Sequence, residues 1–316
     1  MDQELTAPSG PAKPTLAHRA EYVSLRLAAG ALGALDFFRA GRIGERLGML
    51  GYRPLKIRRA VVQRQLAAAL PERTADEINA IARASYAHLG RTSIETAILP
   101  SRSAAEIKAL FEAVEGWEMV EQQIALGKGV MFVSGHLGNW ELGGAYIASR
   151  VPLDVVARHM ANPLFDRYLT STRERIGMTV VHDEAAVRRV PRSLRSGRHV
   201  AFLVDQGAIG LASTWVPFFG RFAKTPRGPA VFALRLGSPV VFAVAVRQPS
   251  GRYKMSFELV PVTPTGDREA DVDRIVTDYT RVLERWVRQT PEQYFWHHRR
   301  WKHQRPGTPP ELGDPL

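Results

Sequence analysis

Short apolar runs separated by amphipathic stretches recur through the last two thirds of the chain. The runs at 130–133, 154–157, 178–181, 200–204 and 240–246 are rich in β-branched residues. They are too short for helices and predict buried strands. Residues 253–259 alternate apolar with polar and predict a weaker strand. Helices are expected near 139–149, 164–176, 184–195, 226–236 and 271–288, where apolar residues return at helical spacing. Strands alternating with helices predict an α/β fold, a central mostly parallel or mixed sheet flanked by helices. Upstream the pattern is helical throughout. Residues 55–70 form a basic amphipathic stretch with Lys56, Arg58, Arg59 and Arg64, stopped by Pro71. Thr74 and Glu77 make a capping box, and Ile78, Ile81, Ala82, Tyr86 and Leu89 follow before Pro100-Ser101 ends the region. Residues 1–20, with Pro8, Pro11 and Pro14, are expected to be a disordered tail. Residues 22–38 are more apolar but carry Arg26 and Asp36. A spanning helix needs about 20 apolar residues, so this segment reads as a helix lying in a membrane interface or packed on the domain. The division expected is an N-terminal helical, membrane-associating region over 21–110, an α/β domain over 111–305 and a flexible tail over 306–316. Residues 21–305 are expected to form one unit.

The strand at 130–133 runs into Ser134-Gly135, a break, and then His136. Trp140 to Ile147 follows as a helix, with Glu141 in its first turn. His136 therefore sits at the carboxyl end of a strand, where open α/β sheets bind ligands. Residues five apart on one continuous helix diverge. His136 and Glu141 can meet only with the histidine in the loop. The carboxylate would then fix the imidazole tautomer and stabilise its protonated form, and the histidine would take a proton from a substrate hydroxyl. The same spacing also fits a loop histidine beside a glutamate that merely favours the helix dipole.

Other strand ends carry further polar groups. Arg158 follows the second central strand and would share the rim with His136, as a phosphate or oxyanion ligand or as a surface cation. Asn162-Pro163 starts a helix, with Asn162 as its cap. Asp205-Gln206 ends another strand, where Asp205 would orient a basic group or shape a turn. Phe218-Phe219-Gly220 and Thr225-Pro226-Arg227-Gly228 read as a loop entering a helix. An arginine and a glycine at a helix start suit an anion, and the two phenylalanines suit an acyl channel or the core.

The formal net charge is +12 and no cysteine is present. The charge favours an acidic partner such as nucleic acid, an anionic membrane or an acidic protein. The missing cysteines exclude disulfides, thiolate catalysis and cysteine metal sites. Arg188, Arg189, Arg192, Arg195 and Arg198 cluster on one stretch and would dock an acidic carrier or lipid head groups, or simply face solvent. The segment 294–305 mixes aromatics and cations, a pattern of membrane interfaces and of single-stranded nucleic-acid binders. His297, His298 and His303 lack a carboxylate at ligand spacing, so no metal is expected. The chain has neither G-x-x-x-x-G-K-[ST] nor G-x-S-x-G, which excludes a phosphate-binding loop at Gly127-Lys128-Gly129 and a nucleophile elbow at Ser134.

The blocks His136–Glu141, Arg158–Asp166, Asp205-Gln206, Val216–Gly220, Thr225–Gly228 and Pro291–Lys302, in this order, resemble the bacterial lipid A biosynthesis acyltransferases. The resemblance covers roughly residues 20–305. That family is part of a wider glycerolipid acyltransferase group with a histidine-x4-acid motif. The resemblance implies transfer of an acyl chain from an acyl-carrier-protein thioester to a hydroxyl of a lipid A precursor. His136 would be the base and Glu141 its partner. Arg158 and the backbone N–H groups of Gly138 and Asn139 would hold an oxyanion or phosphate. Asn162, Asp205, Gln206, Phe218, Phe219, Gly220, Thr225, Arg227 and Gly228 would contact substrate. No cofactor or metal is implied, and the location implied is the cytoplasmic face of the bacterial inner membrane. Two rivals stand beside it: acyl-CoA-dependent acylation of another glycolipid such as a phosphoinositide mannoside, and a basic membrane- or nucleic-acid-binding module without chemistry.

Overall fold

Thr15 opens the first helix of the computed structural model, which describes residues 14–207 and 212–316. It caps α1 (Leu16–Gly33) in a box with His18. Asp36 then accepts hydrogen bonds from the backbone N–H groups of Phe38 and Arg39 and starts α2 (Phe37–Tyr52). The stretch 22–38 is therefore two helices rather than one, because its carboxylate serves as an N-cap. The expected disordered tail is also shorter, since residues 16–20 are helical. Residues 1–13, with Pro8 and Pro11, lie outside the described residues. Helix α3 (Arg59–Ala69) starts later than residue 55, after a turn in which Lys56 and Arg58 take positive φ. Helix α4 (Ala75–Ile98) carries the Thr74–Glu77 capping box, as expected. No helix among the described residues is long and apolar enough to cross a membrane.

Helices α2 and α4 pack backbone against backbone. A Cβ on Gly48 would stand 2.0 Å from the Tyr86 carbonyl oxygen, and one on Gly90 2.2 Å from that of Gly44. From α4, His88 Nε2 stands 3.0 Å from the Gly138 carbonyl oxygen and Glu95 accepts from the Asn139 side chain, so this helix supports the loop that carries His136.

After α5 (Ala104–Ala109) come β1 (Phe111–Glu115), α6 (Trp117–Ala125), β2 (Met131–Ser134), α7 (Trp140–Ala148), β3 (Leu153–Ala157), α8 (Pro163–Arg175), β4 (Met178–His182), α9 (Asp183–Arg195) and β5 (His199–Leu203). The chain continues through β6 (Ser213–Phe218), β7 (Arg221–Pro226), α10 (Gly228–Leu236), β8 (Val240–Arg247), β9 (Tyr253–Val260) and α11 (Arg268–Gln289). The predicted strands are β2, β3, β4, β5, β8 and β9, shifted by at most one residue at either end. Strands β1, β6 and β7 were not expected. β1 is mostly solvent-facing and carries Glu112 and Glu115 among its five residues, so it lacks the apolar run. β6 and β7 pair as a separate antiparallel hairpin where a loop was expected. Phe219 and Gly220 make its turn, both at positive φ, the geometry that matches strand twist.

The main sheet has the order β1-β9-β8-β2-β5-β3-β4. Strands β8, β2, β5, β3 and β4 are mutually parallel, and β9 reverses direction against β8, so the sheet is mixed. Alternating side chains divide the core in two. Met131 and Val133 join a cluster with α3, α9, α10 and α11, whereas Val130 and Phe132 join one with α5, α6 and α7. β2 is central and buried on both faces, which is why it reads as an unbroken apolar run.

Candidate active site

His136 and Asp205 follow adjacent parallel strands, β2 and β5, whose last residues Ser134 and Leu203 are register partners. This pairing closes a gap of 69 residues in sequence. His136 Nδ1 lies 2.7 Å from Asp205 Oδ1, and the His136 backbone N–H donates to Asp205 Oδ2 at 2.9 Å. The His136 carbonyl accepts from the Phe295 backbone N–H. Trp140 meets the imidazole edge-on with ring centres 4.9 Å apart, and Phe295 stands at 5.9 Å. Burial pushes the Asp205 carboxyl up, but the charge and hydrogen bonds of His136 and the charge of Arg300 outweigh it and hold it at about 2. An ionised Asp205 fixes Nδ1–H on the imidazole and leaves Nε2 to accept a proton.

The carboxylate on His136 is thus Asp205 and not Glu141. Glu141 does occupy the first turn of α7, as expected, but both its oxygens bind Arg173 of α8, at 2.5 and 3.1 Å. The pair is largely buried. Burial lowers the Arg173 pKa, and the Glu141 charge more than restores it. Arg173 carried no sequence signal, being one of several basic residues on a polar helix.

The loop after His136 is held by its own backbone. Gly138 N–H donates to the Gln293 carbonyl at 3.0 Å and Asn139 N–H to that of Ala245 at 2.9 Å. Both groups expected to cradle an oxyanion are therefore spent on structure. Gly138 has φ +63°, and a Cβ there would lie 2.0 Å from the Ala245 oxygen, so only glycine fits. The Asn139 side chain caps α7 and donates to Glu95 at 3.0 Å. Glu95 is fully buried and also binds Arg91, Arg247 and Tyr253. Burial raises its pKa, but these partners outweigh it and keep it ionised. This network underpins the loop and was not expected from sequence.

Arg158 does reach the carboxyl rim of the sheet, but it is exposed and its Nε pairs with Asp183 at 3.1 Å. Asn162 caps α8 and donates to Glu21 and to the His18 carbonyl, tying α8 to α1. Gln206 is half-buried beside Asp205. Phe218 and Phe219 are core residues, packed on Tyr294, Trp296 and Trp301, and are not among the residues lining the apolar cavity between α7 and the sheet. Gly220 makes the hairpin turn, and Thr225 Oγ1 accepts from Arg300. Arg227 precedes Gly228, the first residue of α10, and is engaged by Glu269 at 2.6 Å. The segment 294–305 is likewise no flat interface: Tyr294, Trp296 and Trp301 are buried. Three groups that could hold a metal ion do converge elsewhere, His159, Asp166 and His182. There His159 already bonds Asp166 at 2.7 Å and stacks on His182.

A partly open apolar cavity of about 80 Å³ lies between α7 and the sheet, reached from the histidine through Ser134 and Trp140. Ser134, Trp140, Ile147, Val155, Met178 and Met255 contribute to its wall, and Glu141 and Arg173 stand at one side. Gly143 and Gly144 supply its room, since a Cβ on Gly144 would come within 3.0 Å of the Met178 sulfur.

Three histidines near the site are held neutral. Burial takes His88 down to about 3, and His297 and His298 to about 4, with nearby arginines adding to each shift. Above pH 6.5 neither the folded nor the unfolded chain protonates them. As pH falls below that value the unfolded chain takes up protons that the folded chain refuses. Stability is expected to fall from pH 6.5 towards 4, by at most about 1.4 kcal/mol per pH unit for each histidine. Exposed His159, raised by Asp166, opposes this weakly. Urea midpoints at pH 7 and pH 5 check the sign.

A histidine–aspartate pair thus stands on adjacent strand ends at the carboxyl rim of an α/β sheet, with an apolar cavity between α7 and the sheet. The model of the bacterial lipid A biosynthesis acyltransferases matches residues 12–303. The chain belongs to that family and is an enzyme that transfers acyl groups. It is 28% identical over 273 residues to the lipid A biosynthesis lauroyltransferase of Escherichia coli, covering 85% of this chain and 87% of that protein. It is 25% identical over 262 residues to the palmitoleoyltransferase of the same organism, covering 82% and 84%. A phosphatidylinositol mannoside acyltransferase of Mycolicibacterium smegmatis is 22% identical over 182 residues, covering 56% and 59%.

Proposed function

We propose that the enzyme moves a fatty acyl chain from an acyl-carrier-protein thioester to a hydroxyl of a lipid A precursor. The observation that carries this reading is the His136–Asp205 pair beside the apolar cavity. His136 Nε2 takes the proton as the acceptor oxygen attacks the thioester carbonyl. The new C–O bond forms, the C–S bond breaks, and the imidazolium returns the proton to the departing thiolate. Asp205 stabilises the imidazolium in between. The acyl chain lies in the cavity against Gly143 and Gly144. Glu141 acts through Arg173, holding the cavity wall and the start of α7. The thioester already supplies an activated carbonyl, so this chemistry needs no cofactor.

Location at the cytoplasmic face of the inner membrane fits the exposed apolar side chains of α1. That helix buries none of its residues and exposes Leu16, Val23 and Leu27. The arginines on the outer face of α9 suit an acidic carrier protein.

The test incubates purified protein in detergent with acyl-carrier-protein or acyl-CoA thioesters and a lipid A precursor, and follows products by mass spectrometry. A gain of one acyl chain, lost in His136→Ala, is expected with the carrier-protein donor. A gain only with acyl-CoA, or only on a phosphoinositide mannoside, would move the reading to that second substrate pair, for which the mycobacterial likeness speaks. Normal transfer by a folded His136→Ala protein would refute the mechanism.

A further inference from the structure

A second cavity, of about 220 Å³, lies on the same rim and is lined by cations. Arg158, Lys224, Arg299, Arg300 and Lys302, with the neutral imidazole of His298, form most of its wall, and no acidic side chain lines it. It adjoins the active site by two chain connections. Gly207, two residues past Asp205, is part of its wall, and the segment that ends in Lys302 begins at Phe295, bonded to the His136 carbonyl. We propose that this cavity binds a phosphate group of a substrate, beside the reacting histidine.

Arg300 is the strongest sign. It is 4% exposed, yet makes no ion pair among the described residues. Its terminal nitrogens donate to neutral oxygens, the Lys224 carbonyl and Thr225 Oγ1, each at 2.6 Å. Its Nε has no hydrogen-bond partner among the described residues. The nearby carboxylate, Asp205, has both oxygens on His136. The charge of Asp205 reaches Arg300 without direct contact; a buried guanidinium with no anion in contact is still costly, and a ligand anion would lower that cost. Two further cations on the wall, Lys224 and Lys302, have no carboxylate within ion-pair distance among the described residues. Arg158 and Arg299 do have partners, Asp183 and Asp314. The wall thus holds a buried arginine with two lysines that make no ion pair among the described residues, a set that suits the several oxygens of a phosphate. Gly207 lets the chain after Asp205 pack directly on β7, because a Cβ there would stand 2.7 Å from the Lys224 oxygen.

Two substrates of the proposed reaction can bring a phosphate: a phosphorylated sugar lipid as acceptor, and the phosphopantetheine arm of the thioester donor. Assigning the phosphate to either rests on the transferase reading above, whereas the site itself does not. The test replaces the two lysines together, Lys224→Ala and Lys302→Ala, and leaves the buried arginine alone. In a thermal-shift titration with inorganic pyrophosphate, the wild type is expected to gain Tm and the double variant not. A wild type without a shift, or a variant with an equal one, would overturn the site. Steady-state kinetics then name the source. A KM rise of about tenfold or more for the acceptor alone, absent with dephosphorylated acceptor, assigns the acceptor's phosphate; the same rise for the thioester alone assigns the donor's. Unchanged KM values for both would overturn the substrate assignment. Loss of the pyrophosphate shift in a protein that transfers no acyl chain would leave the site standing and refute the transferase reading instead.

Discussion

Replacing Asp205 by asparagine is expected to lower turnover by about 10³–10⁴-fold while the protein stays folded. The carboxylate accepts from both the Nδ1–H and the backbone N–H of His136. An amide keeps the shape and one acceptor, but its NH₂ group can face Nδ1 and stabilise the wrong tautomer, with the proton on Nε2. It also removes the negative charge that favours the imidazolium. KM for either substrate should change little, because Asp205 touches the histidine and not the acyl chain. A circular-dichroism spectrum and a kcat measurement decide the matter. A variant within threefold of wild-type kcat would show that Asp205 is structural.

Glu141→Ala is expected to lose stability as well as activity, in contrast to Asp205→Asn. Removing one member of a buried ion pair leaves the other charged and unsolvated, at a cost of about 3–5 kcal/mol. Arg173, mostly buried, is the member left behind. Replacing both, as Glu141→Gln with Arg173→Met, should recover much of that loss, because no lone charge remains. The urea midpoints of Glu141→Gln, Arg173→Met and the double variant form the cycle. Additive losses would mean that the two residues do not act as a pair. A histidine partner would give the opposite pattern, a kcat loss with little change in midpoint. The comparison of Glu141→Ala with Asp205→Asn therefore separates the two carboxylates by role.

Periodicity exposed those parts of the chain that local forces govern. Strands β2 and β8 announce themselves as nearly unbroken apolar runs because both faces are covered, and β3, β4 and β5 by shorter apolar runs. The Thr74–Glu77 box announces α4 because capping is satisfied within four residues. Elements whose reason for existing lies elsewhere in the chain gave no such signal. β1 is a strand because β9 offers it hydrogen bonds, not because of its own half-exposed residues. The β6–β7 hairpin was read as a loop because a proline, a lysine and a threonine interrupt its alternation. Its aromatic residues pack on Tyr294, Trp296 and Trp301, some eighty residues later.

The site divides in the same way. Sequence alone determined that His136 stands at the end of a central strand, that Glu141 begins the next helix, and that Arg158 and Asp205 reach the same rim. Those are consequences of local pattern and of the direction shared by parallel strands. Which carboxylate serves the histidine was a matter of tertiary structure. Strand order puts β5, not the start of α7, against β2, and so gives His136 to Asp205 and leaves Glu141 for Arg173. Tertiary structure also consumed the N–H groups of Gly138 and Asn139 in bridges to Gln293 and Ala245, and gathered Lys224, Arg300 and Lys302 around one cavity. Spacing along a chain measures only neighbours within a helix or strand. Partners chosen across a sheet depend on which strands lie side by side, and that is settled by the packing of the whole fold.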